Sequence, residues 1–472
     1  MPSSPSVDRL STPIRARGDI PRRWPNSLAA LEVRNYRLFL VAQVLGCTGG
    51  WMQRIAQDWM VLQLTGSVAA VGLTVALQFA PFLIFGLFGG VIADRYDKRK
   101  IMLITQSLVA SCALVLGVLA VTGQVQVWHV YVIAFVLGTV VVIDSPARQV
   151  FVSELVGAQH IRNAVSLNSS VFQGAGLIGP AIAGILIGGV GLGWAFMINS
   201  VAAGLVVGVI AMIKPAVTQL PTVANRARGQ LREGLAYIRR TSEVGWAIGL
   251  AGVAGVFAMN MPVVLSAFAE KEFQLGVGGY TTFNSLNAIG ALTGALLSAG
   301  GHRQLRLRNI VPLLAGLGLL QAVASHLPSA WMFGAVLVMC GLTSLTFLIA
   351  ANTLVQTTAA PAVRGRVMAV YTLVLMGGQA IGGPLLGWSM DNVGPRTTML
   401  ITGSVTAVLA TTMMLLMARA SRLTLSVGRP RWSDFHLSTV RLGALRFRTV
   451  TPASVRDWVP LHIVPRTRRR TA

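Results

Sequence analysis

Arg54 and Asp58 are the ionisable pair that lies well inside an apolar segment of this 472-residue chain. Their i, i+4 spacing puts guanidinium and carboxylate on one helix face, where pairing offsets part of the cost of placing either in hydrocarbon. Gln43, Cys47, Gly50, Arg54 and Gln57 or Asp58 recur at helical spacing, a stripe of polar and small residues that must face a cavity rather than lipid. Two chemistries fit this stripe. In one, Asp58 takes up a proton, releases Arg54 and alters the hold on an anionic or polar group. In the other, Asp58 beside Trp59 marks a membrane interface and Arg54 is its structural counter-ion.

A second constellation runs from Gly90 to Lys100 and contains Asp94, Arg95, Asp97, Lys98 and Arg99. It lies between two long apolar segments, so it is expected to be a tight, charged turn at a membrane surface. Farther on, Asp144-Ser145-Pro146-Ala147-Arg148 ends another apolar segment, with Asp144 one turn from Arg148 and Arg148 placed to meet Asp94 across the same face. A Gly-x-x-x-x-Gly-Lys-Ser/Thr loop is missing, as are His-Glu-x-x-His and Gly-x-Ser-x-Gly, which argues against ATP hydrolysis and against an enzyme of those classes. Gly174-Ala175-Gly176-Leu177-Ile178-Gly179 matches a dinucleotide fingerprint in letters alone; without a preceding strand it implies no cofactor. Cys47, Cys112 and Cys340 all fall in apolar segments and imply neither a disulfide framework nor a metal site.

The elements that must position these groups are membrane spans. Hydrophobic residues make up 54% of the chain and charged residues 11%, against about 25% charged in a soluble domain. A window of about 20 apolar residues predicts twelve spans, near 38–64, 68–92, 101–121, 128–150, 164–190 and 193–213, then 244–269, 279–300, 309–327, 331–353, 366–390 and 396–418. The formal charge of +24 resides in tails and loops, which points to anionic lipid rather than nucleic acid as its partner. With the amino terminus inside, Arg95, Lys98, Arg99, Lys100, Arg148, Arg162, the arginines between Lys214 and Arg240, Arg303, Arg306, Arg308, Arg364 and Arg366 are all cytoplasmic, and only Lys271 and Arg396 lie in outward loops.

The chain therefore divides into a cytoplasmic tail (1–37), six spans (38–213), a basic cytoplasmic linker (214–243), six more spans (244–418) and a basic cytoplasmic tail (419–472). The halves repeat weakly: Gly179-Pro180 followed by Gly184 is echoed by Gly383-Pro384 followed by Gly387. These glycines permit close helix packing, and each proline removes a backbone hydrogen bond and invites a bend. Gln43, Gln53, Gln78, Gln173, Asn260 and Gln379 are expected to line a polar cavity in a largely apolar wall, and Asn260-Met261-Pro262 is expected to break the seventh span.

Gly90, Asp94, Arg95, Arg99 and Lys100 resemble the loop between the second and third helices of major facilitator superfamily transporters, although Asp97 stands where that family usually has glycine. The Gly-Pro-rich fifth span is similar to the antiporter motif of exporters in that superfamily. Trp51-Met52-Gln53, Leu64-Thr65-Gly66-Ser67 and Asp144 to Val156 extend the resemblance to the subfamily containing the enterobactin exporters, over residues 31 to 418. It implies two parallel six-helix repeats with a substrate site between them, a cytoplasmic gate at Asp94 and Arg148, and secondary transport across the cell membrane. The reading is an exporter of a small amphipathic molecule such as a siderophore, drug or metabolite, exchanged for protons. An importer or symporter is the alternative within transport, and a membrane scaffold or sensor the alternative outside it.

Overall fold

The computed structural model describes residues 26–157, 159–213, 230–299, 307–361, 363–420, 424–427 and 445–448. Within these ranges the side chains of 87–91 and of Asp94 lie outside the description, so the expected Gly90 and Asp94 contacts do too.

Six long helices come first: α1 (Arg34–Thr65), α2 (Val68–Arg95), α3 (Lys98–Val121), α4 (Val127–Val156), α5 (Ile161–Val190) and α6 (Leu192–Met212). A short α7 (Gln230–Arg240) precedes α8 (Ser242–Val253) and α9 (Met261–Ala267), followed by α10 (Gly276–Ala299), α11 (Leu307–Ala324), α12 (Ala330–Thr358), α13 (Arg364–Asn392) and α14 (Pro395–Ala420). Beyond α14 the strands Thr424–Val427 and Leu445–Arg448 pair antiparallel, Thr424 opposite Arg448. Among the described residues ten segments are long and apolar enough to cross a membrane, the interrupted Ser242–Glu272 counting as one. The polar stripe of α1 and the glycine- and asparagine-bearing α10 fall outside that set, yet they are 32 and 24 residues long and pack among the others.

Helices α1 to α6 pack on one another as one bundle and α8 to α14 as a second. They meet along α2 with α13, α5 with α10, and α1 and α2 with α9. Residues near the α1–α2 turn mark what we call the Ser67 end; the α2–α3 turn marks the opposite, Arg99 end. The described cations cluster at the Arg99 end, whereas Trp128, Trp194, Trp331 and Trp388 are exposed at the Ser67 end, an interfacial aromatic belt.

Several local features follow from single residues. Gly191, with φ of 91°, separates α5 from α6 by one residue, a backbone conformation that L side chains rarely adopt. The seventh segment is broken as its sequence predicts: α8 passes through a π turn at Ala254–Ala258, and α9 starts with Pro262 in its first turn, where the missing N–H costs nothing. Pro180 and Pro384, by contrast, sit inside helices that run without interruption. The structured region begins before the predicted first span. A 3-10 turn at Asn26–Glu32 packs on α5, where the Ala30 N–H donates to Asn163 Oδ1 at 2.9 Å and the Tyr36 hydroxyl to the Ala164 carbonyl at 2.9 Å. Leu28 to Leu31 are apolar, a signal diluted by the arginines and prolines before them. The basic linker likewise ends in a docked helix, since the Tyr237 hydroxyl of α7 donates to the Thr358 carbonyl at 3.3 Å. Its remainder, and most of the two predicted tails, lie outside the described residues.

Candidate functional site

Asp58 is fully buried, about 10 Å below the Ser67 end of α1 by helical rise. Its carboxylate does not pair with Arg54. Instead it accepts from Gln78 Nε2 of α2 and from the Tyr280 hydroxyl of α10, each at 3.3 Å, and the Tyr280 ring stacks on Trp59 with centroids 5.6 Å apart. The carboxylate therefore joins the two bundles. Spacing alone predicted an Arg54–Asp58 pair, but among the described residues no ion pair joins them. Arg54 is half-buried, and its guanidinium carbon lies 5.4 Å from the centroid of Trp51 and 5.7 Å from that of Phe79. The aromatic faces add to the through-space attraction of Asp58, one turn away.

A second network lies toward the Arg99 end. Arg148 bonds Asp144 Oδ2 through Nε at 2.8 Å and Nη2 at 2.6 Å, while its Nη1 donates to Gln43 Oε1. Asp144 also accepts from the Thr105 hydroxyl at 2.7 Å, so α1, α3 and α4 are tied within the first bundle. At the turn itself Asp97 caps α3, accepting from the backbone N–H groups of Arg99 at 2.8 Å and Lys100 at 3.2 Å. Arg99 reaches the last carbonyls of α6, with Nη2 2.5 Å from Ala211, where the helix dipole favours a cation. Lys98 lies 3.7 Å from Glu154 of α4. Arg95 and Lys100 are exposed.

The predicted cavity residues separate into two groups. Gln43 is used by Arg148, Gln53 accepts from Asn199 Nδ2 at 2.7 Å, and the Asn260 amide donates to the Gly255 and Val256 carbonyls at 2.9 and 3.1 Å. All three are buried and bonded within the protein, while Gln53 Nε2 and Asn260 Oδ1 keep no partner among the described residues. Gln78 is spent on Asp58, and Gln173 and Gln379 stay half-exposed.

The small residues do bring helices together. Gly179 seats α5 on α1, because an added Cβ would lie 2.6 Å from that of Trp51. Gly184, Gly383 and Gly387 lie where the bundles meet: a Cβ on Gly184 would be 2.9 Å from that of Thr281, one on Gly383 2.7 Å from the Gly72 carbonyl oxygen, and one on Gly387 2.6 Å from that of Val68. At the Ser67 end Asp391 of α13 reaches the start of α2 and the Lys271 ammonium, the latter at 2.5 Å, and Arg396 pairs with Glu272. Sequence reasoning gave no role to Tyr280 or Asp391 and gave Lys271 only an outward position. The N-cap type of Ser67 and the rare outward Lys271 were the available signals.

A family described as transmembrane secretion effector, within the major facilitator superfamily, matches residues 25–438. Among curated proteins the chain is 24% identical over 372 residues to macrolide efflux protein A of Streptococcus pyogenes, covering 76% of this chain and 89% of that one. It is also 24% identical over 369 residues to the enterobactin exporter EntS of Escherichia coli O1:K1, covering 77% and 87%. Among solved structures the fold is similar to the nucleoside transporter NupG, with a TM-score of 0.65 and 13% identity over 81% of this chain and 99% of that one. It is equally similar to an inward-facing, unoccupied bacterial homologue of the human lysosomal transporter Spinster, at 0.65 and 15% identity over 82% and 97%.

Proposed function

The chain belongs to the transmembrane secretion effector family of major facilitator transporters, and from that premise we propose that it exports a small amphipathic molecule by proton antiport with alternating access. The observation that carries the reading is the position of Asp58, a buried carboxylate whose hydrogen bonds come from both bundles. In its ionised form the carboxylate accepts from Tyr280 and holds the Ser67 end closed. Opening at that end admits a proton from the same side, and protonation then removes the charge and weakens the grip on Tyr280. Export releases the cargo there and carries the proton inward.

Access from the other side is supported by the exposed hydroxyls of Ser169 and Ser170 on the Arg99 half of α5 and by half-exposed Gln173. The Arg99 end is cytoplasmic in this reading, as the cations there and the tryptophans opposite favour. Both termini then lie inside, with Asp94, Arg95, Arg99, Lys100, Asp144 and Arg148 at the inner gate. Reconstituted Asp58→Asn protein tests the coupling: it should exchange cargo downhill yet fail to export in response to an imposed pH gradient. Export by Asp58→Asn that follows the gradient normally dismisses Asp58. The cargo itself is found by comparing metabolites of deletion and overexpression strains.

A further inference from the structure

Arg54 presents a problem that proton coupling at Asp58 does not solve: a half-buried guanidinium in a membrane interior, acted on through space by Asp58 one turn away yet closed into no ion pair among the described residues. Four described carboxylates of the spans make their hydrogen bonds or ion pairs with other groups. Asp58 is held by Gln78 and Tyr280, Asp144 by Arg148 and Thr105, Glu154 lies by Lys98, and Asp391 is bound by Lys271 and Ser67. A charge there that closes into no ion pair is costly, and such residues mark substrate paths.

We propose that Arg54, with Trp51, Phe79 and Phe172, forms the recognition site for the anionic group of an aromatic organic anion, the exported cargo. The inference rests on the transport reading and names its substrate class. The guanidinium offers a planar fork of donors that matches a carboxylate or sulfonate. The ring faces supply the rest. Trp51 and Phe172 lie 6.0 Å apart at 55°, Phe172 is half exposed, and Phe79 closes the side contributed by α2. Gly179 lets α5 approach the Trp51 Cβ, so α5 brings Phe172 against the Trp51 ring that flanks the cation. An organic cation is disfavoured by repulsion from Arg54. A neutral aromatic would fill the ring faces and offer the guanidinium no hydrogen-bonding counter-charge.

Binding to the full-length protein in lipid nanodiscs, with no gradient, tests the proposal by calorimetry with naphthalene-2-carboxylate, its carboxamide and naphthalen-2-ylmethylammonium. The carboxylate should bind about tenfold tighter than the carboxamide, as one charge-assisted contact allows, and the ammonium weakest. Arg54→Gln should bring the carboxylate down to the carboxamide's affinity while leaving the latter unchanged, which also reports a folded site. Arg54→Lys should keep the order, and Trp51→Ala should weaken carboxylate and carboxamide alike. Equal affinities in the wild-type protein, no measurable carboxylate binding, or an anion preference that survives Arg54→Gln would overturn it. Failure of proton-coupled export appears in flux measurements and leaves these isotherms untouched.

Discussion

The Asp391 carboxylate at the end of α13 accepts a hydrogen bond of 2.6 Å from the Ser67 hydroxyl, at the start of a helix in the other bundle. It also takes the backbone N–H groups of Val68 at 3.0 Å and Ala69 at 2.8 Å. One side chain thus provides an N-cap and a counter-charge for the α2 dipole, 323 residues away in sequence from Val68. Lys271 completes the charge balance.

Asp391→Asn keeps the shape and removes the charge. Hydrogen bonds to a charged group contribute about 1.5–3 kcal/mol each, so the population open at the Ser67 end should rise at least about tenfold. Spin labels at Thr65 and Asn392, at the ends of α1 and α13, would report it as a longer distance population. An unchanged distance distribution would show that Asp391 does not hold the closure.

Gly72→Ala should act in the same direction by a different cause. A methyl group there meets the Gly383 carbonyl oxygen and backbone, which cannot turn aside as a flexible side chain can. Overpacking of this kind costs about 1–3 kcal/mol. The closed form carries that cost and the open form escapes it, so the same label pair should separate while the melting temperature in detergent changes little.

Asp97 replaces the glycine usual in related loops and caps α3. Asp97→Ala should lower stability by about 1 kcal/mol, whereas Asp97→Gly should cost only a few tenths. Thermal melts of the two purified variants separate a capping role from a role for the charge in gating, since gating would make both variants equally impaired in transport.

Membrane orientation is checked by thiol labelling in intact cells. Cysteines placed at Gly123 and Pro328 should react with an impermeant reagent, and one at Arg228 should not. Labelling at Arg228 would invert the assignment of the inner face.

Features set by local chemistry were legible before any coordinates. Hydropathy located the helices, the glycines separated α5 from α6, and Asn260-Met261-Pro262 announced its break because proline lacks the N–H that a helix interior needs. Gly383-Pro384 announced close packing but not its partner Gly72, because a glycine records that something approaches and not what does. The Asp58 environment was unreadable for the same reason. Spacing offered Arg54 four residues away, and the bond that formed came from Tyr280, 222 residues distant. Similarly, a carboxylate near a helix end reads as an interfacial charge, so Asp391 carried no sign that it would cap another helix.

The broken seventh segment has a mechanical consequence. A continuous rod must tilt as one piece, so displacement at one end is imposed on the other. Here the carbonyls freed by the break are already held by side chains, Gly255 and Val256 by Asn260 and Ala258 by Gln321. Bending at Met259–Asn260 therefore ruptures no helical ladder. The segment works as a knuckle rather than a lever: α9, which touches α1 and α2, can follow the first bundle while α8 keeps its seat among α11 to α14.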